Sequence, residues 1–199
     1  TLVSQQCVST PTCITPVFNA VNKLMDNFVE GKKNAFLFCD VHQSPEHTSV
    51  ISALMADGAT HQYGDKVYII TENDPVSNGL KNKFPDHFYT EPDIRTALNE
   101  ISQRGSKMQL SKIIKKATDL SKKIGFDLNI RTVKEAVKTN NKEVLKKFLH
   151  QYRDLCFANA AWGAHTQGKK VVLILGYNHG KSPVIRHILE KINTIQEQE

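Results

Sequence analysis

"FLFCDVHQSPEHTSVI" (residues 36–51) and "LILGYNHGKSPVIRHIL" (residues 173–189) share one layout. Each runs from an apolar stretch through a histidine to Ser-Pro and a helix-like segment. Continuous apolar runs of this length read as strands covered on both faces. Ser44 and Ser182 are natural helix N-caps. Pro45 and Pro183 fall at the first helical position, where a missing N–H costs nothing. Strand–helix units at both ends of a chain predict an α/β fold, with a central mostly parallel or mixed sheet flanked by helices.

Working outward, "KVYIITE" (66–72) reads as another buried strand, "NDPVSNG" (73–79) as a loop and "HFYTE" (87–91) as a short third strand. Helical spacing of apolar residues marks 16–30, 107–123, 131–139 and 141–166. Pro92 and Asp93 open a further helix to about Gln103. The segment 105–145 is thus a lysine-rich helical insertion or lid, and residues 1–15, rich in Ser, Thr and Gln, a loose leader. At 199 residues one domain is expected. It can bury about 70% of its unfolded surface without a staple. No run approaches the roughly 18 apolar residues of a membrane span. No signal peptide is visible, and Thr1 in first place suggests a trimmed start.

The formal charge is +6, and much of the excess sits between Lys107 and Lys147. These lysines alternate with apolar residues, as on a solvated helix face. They also offer a surface to an anionic partner such as phosphate, a lipid headgroup or nucleic acid. Aromatics are not interleaved with them, which argues against a platform for stacking single strands. None of the four cysteines forms a CxxC zinc pattern. Cys7 and Cys13 could pair in an oxidising compartment, while Cys39 and Cys156 are expected to be buried free thiols. There is no GxGxxG or P-loop.

Chemistry concentrates in the two corners. In parallel sheets, ligands bind at the carboxyl ends of the strands. His42 and His179 follow their strands there, His47 lies in the first turn of the next helix, and Asp40 stands two residues before His42. If the strands are neighbours, His42 and His179 face one crevice. Three uses stay open: His42, His47, His179 and Asp40 holding a divalent metal; an Asp–His general base; or two histidines ligating haem iron. His61, His87, His150, His165 and His187 lack this placement and are expected to serve the surface or the packing.

"CDVHQSPEH" resembles the first motif of the Tiki/TraB, ChaN and erythromycin-esterase clan, a Gly-Glu-x-His signature with a second histidine after it. "LILGYNHG" resembles its closing Gly-x-x-His motif, and "YRDLCFANAAWG" offers Arg153 and Asp154 where the clan carries an Arg with a polar neighbour. Cys39 stands in place of the clan's Gly, and Asp40 in place of its Glu. The resemblance implies an α/β sheet with a variable helical lid. It implies a hydrolase-like site of peptidase or esterase type in which Asp40, His42 and His179 activate water, directly or through a divalent metal, while Arg153 orients an anionic group on a small-molecule or peptide substrate. A Cys39 thiolate nucleophile is a variant of that site. A non-catalytic binder of haem or of a protein partner is the alternative, and soluble bacterial effector or toxin modules also belong to this group.

Overall fold

The computed structural model describes residues 23–40, 66–72 and 75–194. The expected leader, Ser44, Pro45 and the helix after them lie outside these residues. Within them the chain is helical over 23–30 (α1), then forms β1 (Ala35–Asp40), β2 (Val67–Thr71), α2 (Pro75–Lys83), α3 (Arg95–Ser102), α4 (Met108–Ile124), α5 (Ile130–Thr139), α6 (Lys142–Thr166), β3 (Lys170–Gly176), a single turn α7 (Tyr177–Gly180) and α8 (Pro183–Thr194).

The strands form one parallel sheet in the order β1-β3-β2, with Asp40 opposite Gly176 and Thr71 opposite Ile174. This is the expected α/β class. β3 is central because its run Val171–Leu175 is apolar throughout and buried on both faces. α6 is the pillar against which the sheet and the other helices pack. Leu145, Phe148, Leu149, Leu155, Phe157, Ala158 and Ala161 are buried around its circumference, because it touches β2 and β3 on one side and α3, α4, α5 and α8 on the others. Small residues at Ala158 and Ala161 let its second half approach its neighbours closely.

Helix ends follow local chemistry. Asn129 and Asn141 cap α5 and α6 by accepting from the N–H of Thr132 and Val144. Gly125 closes α4 with φ of 68°, a left-handed cap that costs glycine little. The Glu100 carboxylate reaches across from α3 to accept from Gln109 N and Leu110 N, two of the unpaired donors that begin α4.

Two expectations change here. The stretch 73–79 is not a loop throughout, since α2 starts at Pro75, a residue suited to a first helical position. The stretch 87–91 is not a strand. Pro85–His87 makes a 3-10 turn, and only a single bridge between Phe88 and Ile69 follows, with Tyr89 N donating to Ile69 O. Residues 89–94 join no regular element, and Pro92 lacks the N–H that a ladder would use.

Two side chains latch the start of the sheet. Lys170 Nζ donates to the carbonyls of Phe28, Gly31 and Lys33, tying the end of α1 to the first residue of β3. Asn193, near the end of α8, accepts from Asn34 N and Ala35 N and donates to Ala35 O. It therefore supplies both a donor and two acceptor bonds to β1 where the ladder begins. Replacing Asn193 with Ala is expected to lower stability by about 1–3 kcal/mol, because three backbone groups lose their partner. Urea unfolding of the variant against the wild type measures this.

Candidate functional site

The carboxyl ends of β2 and β3 carry a cluster of charged side chains. Glu72 directly follows β2, and His179 sits in the turn after β3. Gly176 N donates to Glu72 Oε2 at 2.6 Å, so this carboxylate bridges the two strand ends. Its other oxygen lies 3.1 Å from His179 Nε2 and 3.2 Å from Arg153 Nη2. Arg153 also grips Glu91, through Nε at 2.8 Å and Nη2 at 2.7 Å.

The far side of the His179 ring meets α6. His179 Nδ1 donates to Asp154 Oδ1 at 2.5 Å, and both side chains are buried. Asp154 Oδ2 lies 3.4 Å from Nδ1 of His150, one helical turn earlier. The His150 and His179 rings stack face to face, with centroids 4.0 Å apart and planes 6° from parallel. Phe157, one turn after Arg153, meets the edge of the His179 ring at 5.5 Å and completes an apolar wall. Thus α6 places His150, Arg153, Asp154 and Phe157 on the face it turns toward the sheet's carboxyl edge.

The proton affinities of the two histidines shift in opposite directions. Burial acts against a charge on His179, but hydrogen bonds and attraction from Asp154 and Glu72 outweigh it and raise its pKa to about 9. Burial likewise opposes ionised Glu72, yet the bonds from His179 and Gly176 and the nearby Arg153 lower its pKa to about 2. For His150, burial and the neighbouring His179 charge push the pKa below its ordinary value, despite the pull of Asp154. His179 is therefore an imidazolium sealed inside the molecule. His150 is a neutral imidazole whose side chain remains 41% exposed.

His150 and Asp154 line a cavity of about 640 Å³, together with Phe148, Val133, Asn178 and Lys181. Arg153 faces away from it into a smaller hollow of about 440 Å³ beside Pro92 and Ile94.

The ligand atoms of His150, Asp154 and His179 lie within 4.8 Å of one another, near enough to hold a metal ion or to act together in catalysis. Their orientation favours the second use. Imidazole lone pairs lie in the ring plane, and stacked parallel rings do not aim at one ion unless a ring turns. Both nitrogens of His179 are also already bonded to carboxylates. A metal would have to displace a proton from His179, leaving an N,O donor set that suits a borderline ion such as zinc.

Of the residues proposed from sequence, His179 and Arg153 are in this cluster. Asp40 ends β1 opposite Gly176 in the strand register, while His42 and His47 lie outside the described residues. β1 and β3 are parallel neighbours, and the turn after β3 comes close to the end of β1. A Cβ at Gly180 would meet Cys39 Sγ, so the turn after β3 passes close over the end of β1, and a larger residue there would require the Cys39 side chain to rotate. Cys39 itself is exposed rather than buried, near the end of β1, which is an outer strand of the sheet among the described residues. Cys156 is buried as expected. His150 belongs to the site rather than to plain surface or packing. Its signal was its spacing of four residues from Asp154 on a helix already carrying Arg153. Glu72 was legible only as the charged residue that closes an apolar strand. No family model matches the chain, and no curated protein or solved structure is significantly similar to it.

The raised pKa of His179 has a thermodynamic consequence. A group at 6.5 when unfolded and about 9 when folded adds stability in full below pH 6.5, and that stability is lost as the pH rises through 9. The difference in unfolding free energy between wild type and His179→Gln should therefore shrink over this window. Urea unfolding at a series of pH values measures it.

Proposed function

We propose that this chain is a hydrolase-like domain whose water-activating base is His150, oriented by Asp154 and kept neutral by its burial and by the charge of His179. The observation that carries the reading is the sharing of one buried carboxylate by two stacked histidines whose proton affinities are pushed apart. Such a split is how proteins assign acid and base roles near neutral pH. His150, at the cavity, removes a proton from water at its exposed side. Asp154 fixes the ring and balances the imidazolium that forms. His179 and Glu72 hold Asp154 and the strand ends in place. Lys181 and Asn178, lining the same cavity, offer hydrogen-bond donors to the negative charge that develops on the substrate.

The residues that carry the resemblance to the Tiki/TraB, ChaN and erythromycin-esterase clan support this reading. Gly176, His179, Arg153 and Asp154 all belong to the network around Glu72. Ester or peptide bonds are the proposed substrates, and Asp40 and His42, from the first of the two sequence motifs, are proposed as further contributors. A divalent metal is not required by the arrangement of the stacked rings.

A non-catalytic binder using the same cavity is favoured by one fact. His179, Glu72 and Arg153 satisfy one another, as in a structural clasp.

The test is hydrolysis of p-nitrophenyl esters and of a peptide library by the purified protein, with and without chelator. The reading expects turnover that survives chelator and falls about 10²–10⁴-fold in His150→Ala. The wild-type rate should rise to a plateau as His150 loses its proton, with a midpoint below pH 6.5, the ordinary histidine value. Equal rates in wild type and His150→Ala, or ligand binding in the cavity with no turnover, would sink it.

A further inference from the structure

Charge is divided unevenly along the chain. Residues 107–147 hold twelve Lys or Arg against four Asp or Glu, a net of +8 where the whole chain carries +6. The densest part is α4. Successive helical residues advance by about 100°, which puts Lys112, Lys115, Lys116, Lys122 and Lys123 in one stripe about 120° wide. All five are exposed, and only Asp119 interrupts the stripe. The opposite face, with Leu110, Ile114, Ala117, Leu120 and Ile124, is buried against the core.

A merely solvated face mixes signs, so that charges offset one another. Here, among the described residues, none of the five lysines is in an ion pair. Two of them, Lys122 and Lys123, fall in the last turn, where they complement the helix dipole. That accounts for neither Lys112, Lys115 nor Lys116. Met108 lies in the same stripe, at the start of the helix, and is 58% exposed.

We propose that the α4 stripe docks the protein on an anionic lipid surface. The stripe is about 25 Å long and lies on the outside of the fold, so it meets a flat surface along its length. Lysines act as compact point charges on flexible stems, which suits mobile headgroups. Base or phosphate reading in nucleic acid favours the fixed fork of arginine, and the stripe has none. The exposed Met108 adds a short apolar side chain that can enter the headgroup layer. No helix of the described residues is long and apolar enough to cross a membrane, so this is attachment at the surface. It is independent of the histidine cluster.

The experiment is sedimentation of the full chain with vesicles of phosphatidylcholine alone, and of phosphatidylcholine with phosphatidylserine, over a salt series. The expected result is binding only to the anionic vesicles, weakening as salt rises. Each Lys→Gln change in the stripe should weaken partition about fivefold. The fivefold-substituted Lys→Arg variant should keep binding, and Met108→Ser should weaken it without changing the salt dependence. Circular dichroism checks that the variants remain helical. Absence of binding at low salt, binding undiminished by five Lys→Gln changes, or tighter binding to duplex RNA or DNA than to vesicles in the same buffer would each overturn the proposal.

Discussion

An imidazolium buried between two carboxylates holds the carboxyl edge of this sheet together. His179 comes from the turn after β3, Glu72 from the end of β2 and Asp154 from the middle of α6. A charge placed so far from water is tolerated only when its hydrogen bonds are complete. That demand sets the rest of the geometry. The turn after β3 must be tight enough to bring both ring nitrogens to their partners. α6 must cross the strand ends at the height of Asp154. The strands must end in step, so that Gly176 N can reach Glu72.

The same clasp determines what its neighbours can do. Arg153 is held between Glu72 and Glu91 and is thereby directed away from the larger cavity. His150, partly buried and stacked on the charged His179 ring, is discouraged from taking a proton of its own. One side of the cluster is thus occupied with holding the structure, while the other presents a neutral base to the cavity. Removing one member of the clasp would leave an unpaired charge inside, which is why such clusters tolerate change poorly.

Much of the scaffold was readable from residue pattern. The unbroken apolar run of β3 and the helical spacing of α4 to α6 leave few alternatives, and Ser182-Pro183 starts α8 where capping chemistry requires. The errors fell where local signals were weak. "HFYTE" has strand-like residues but makes a single bridge, from Phe88 to Ile69, and "NDPVSNG" hides a helix start behind turn-forming residues. In the site, His179 and Arg153 stood out by motif and position. His150 and Glu72 did not, because their roles arise from a helix crossing a sheet edge. Spacing along the chain carries no information about that crossing. A histidine four residues before an aspartate is common on helices, and only the stacked partner from another element gives this one its character.

The central claim is that two histidines in contact hold different protonation states. Nitrogen-15 NMR of histidine side chains reads this directly, since the ring nitrogen shifts separate the imidazolium from each neutral tautomer. Near neutral pH, the account predicts that both nitrogens of His179 are protonated, while His150 is neutral with its proton on Nδ1, facing Asp154. A neutral His179, or an imidazolium at His150, would contradict it.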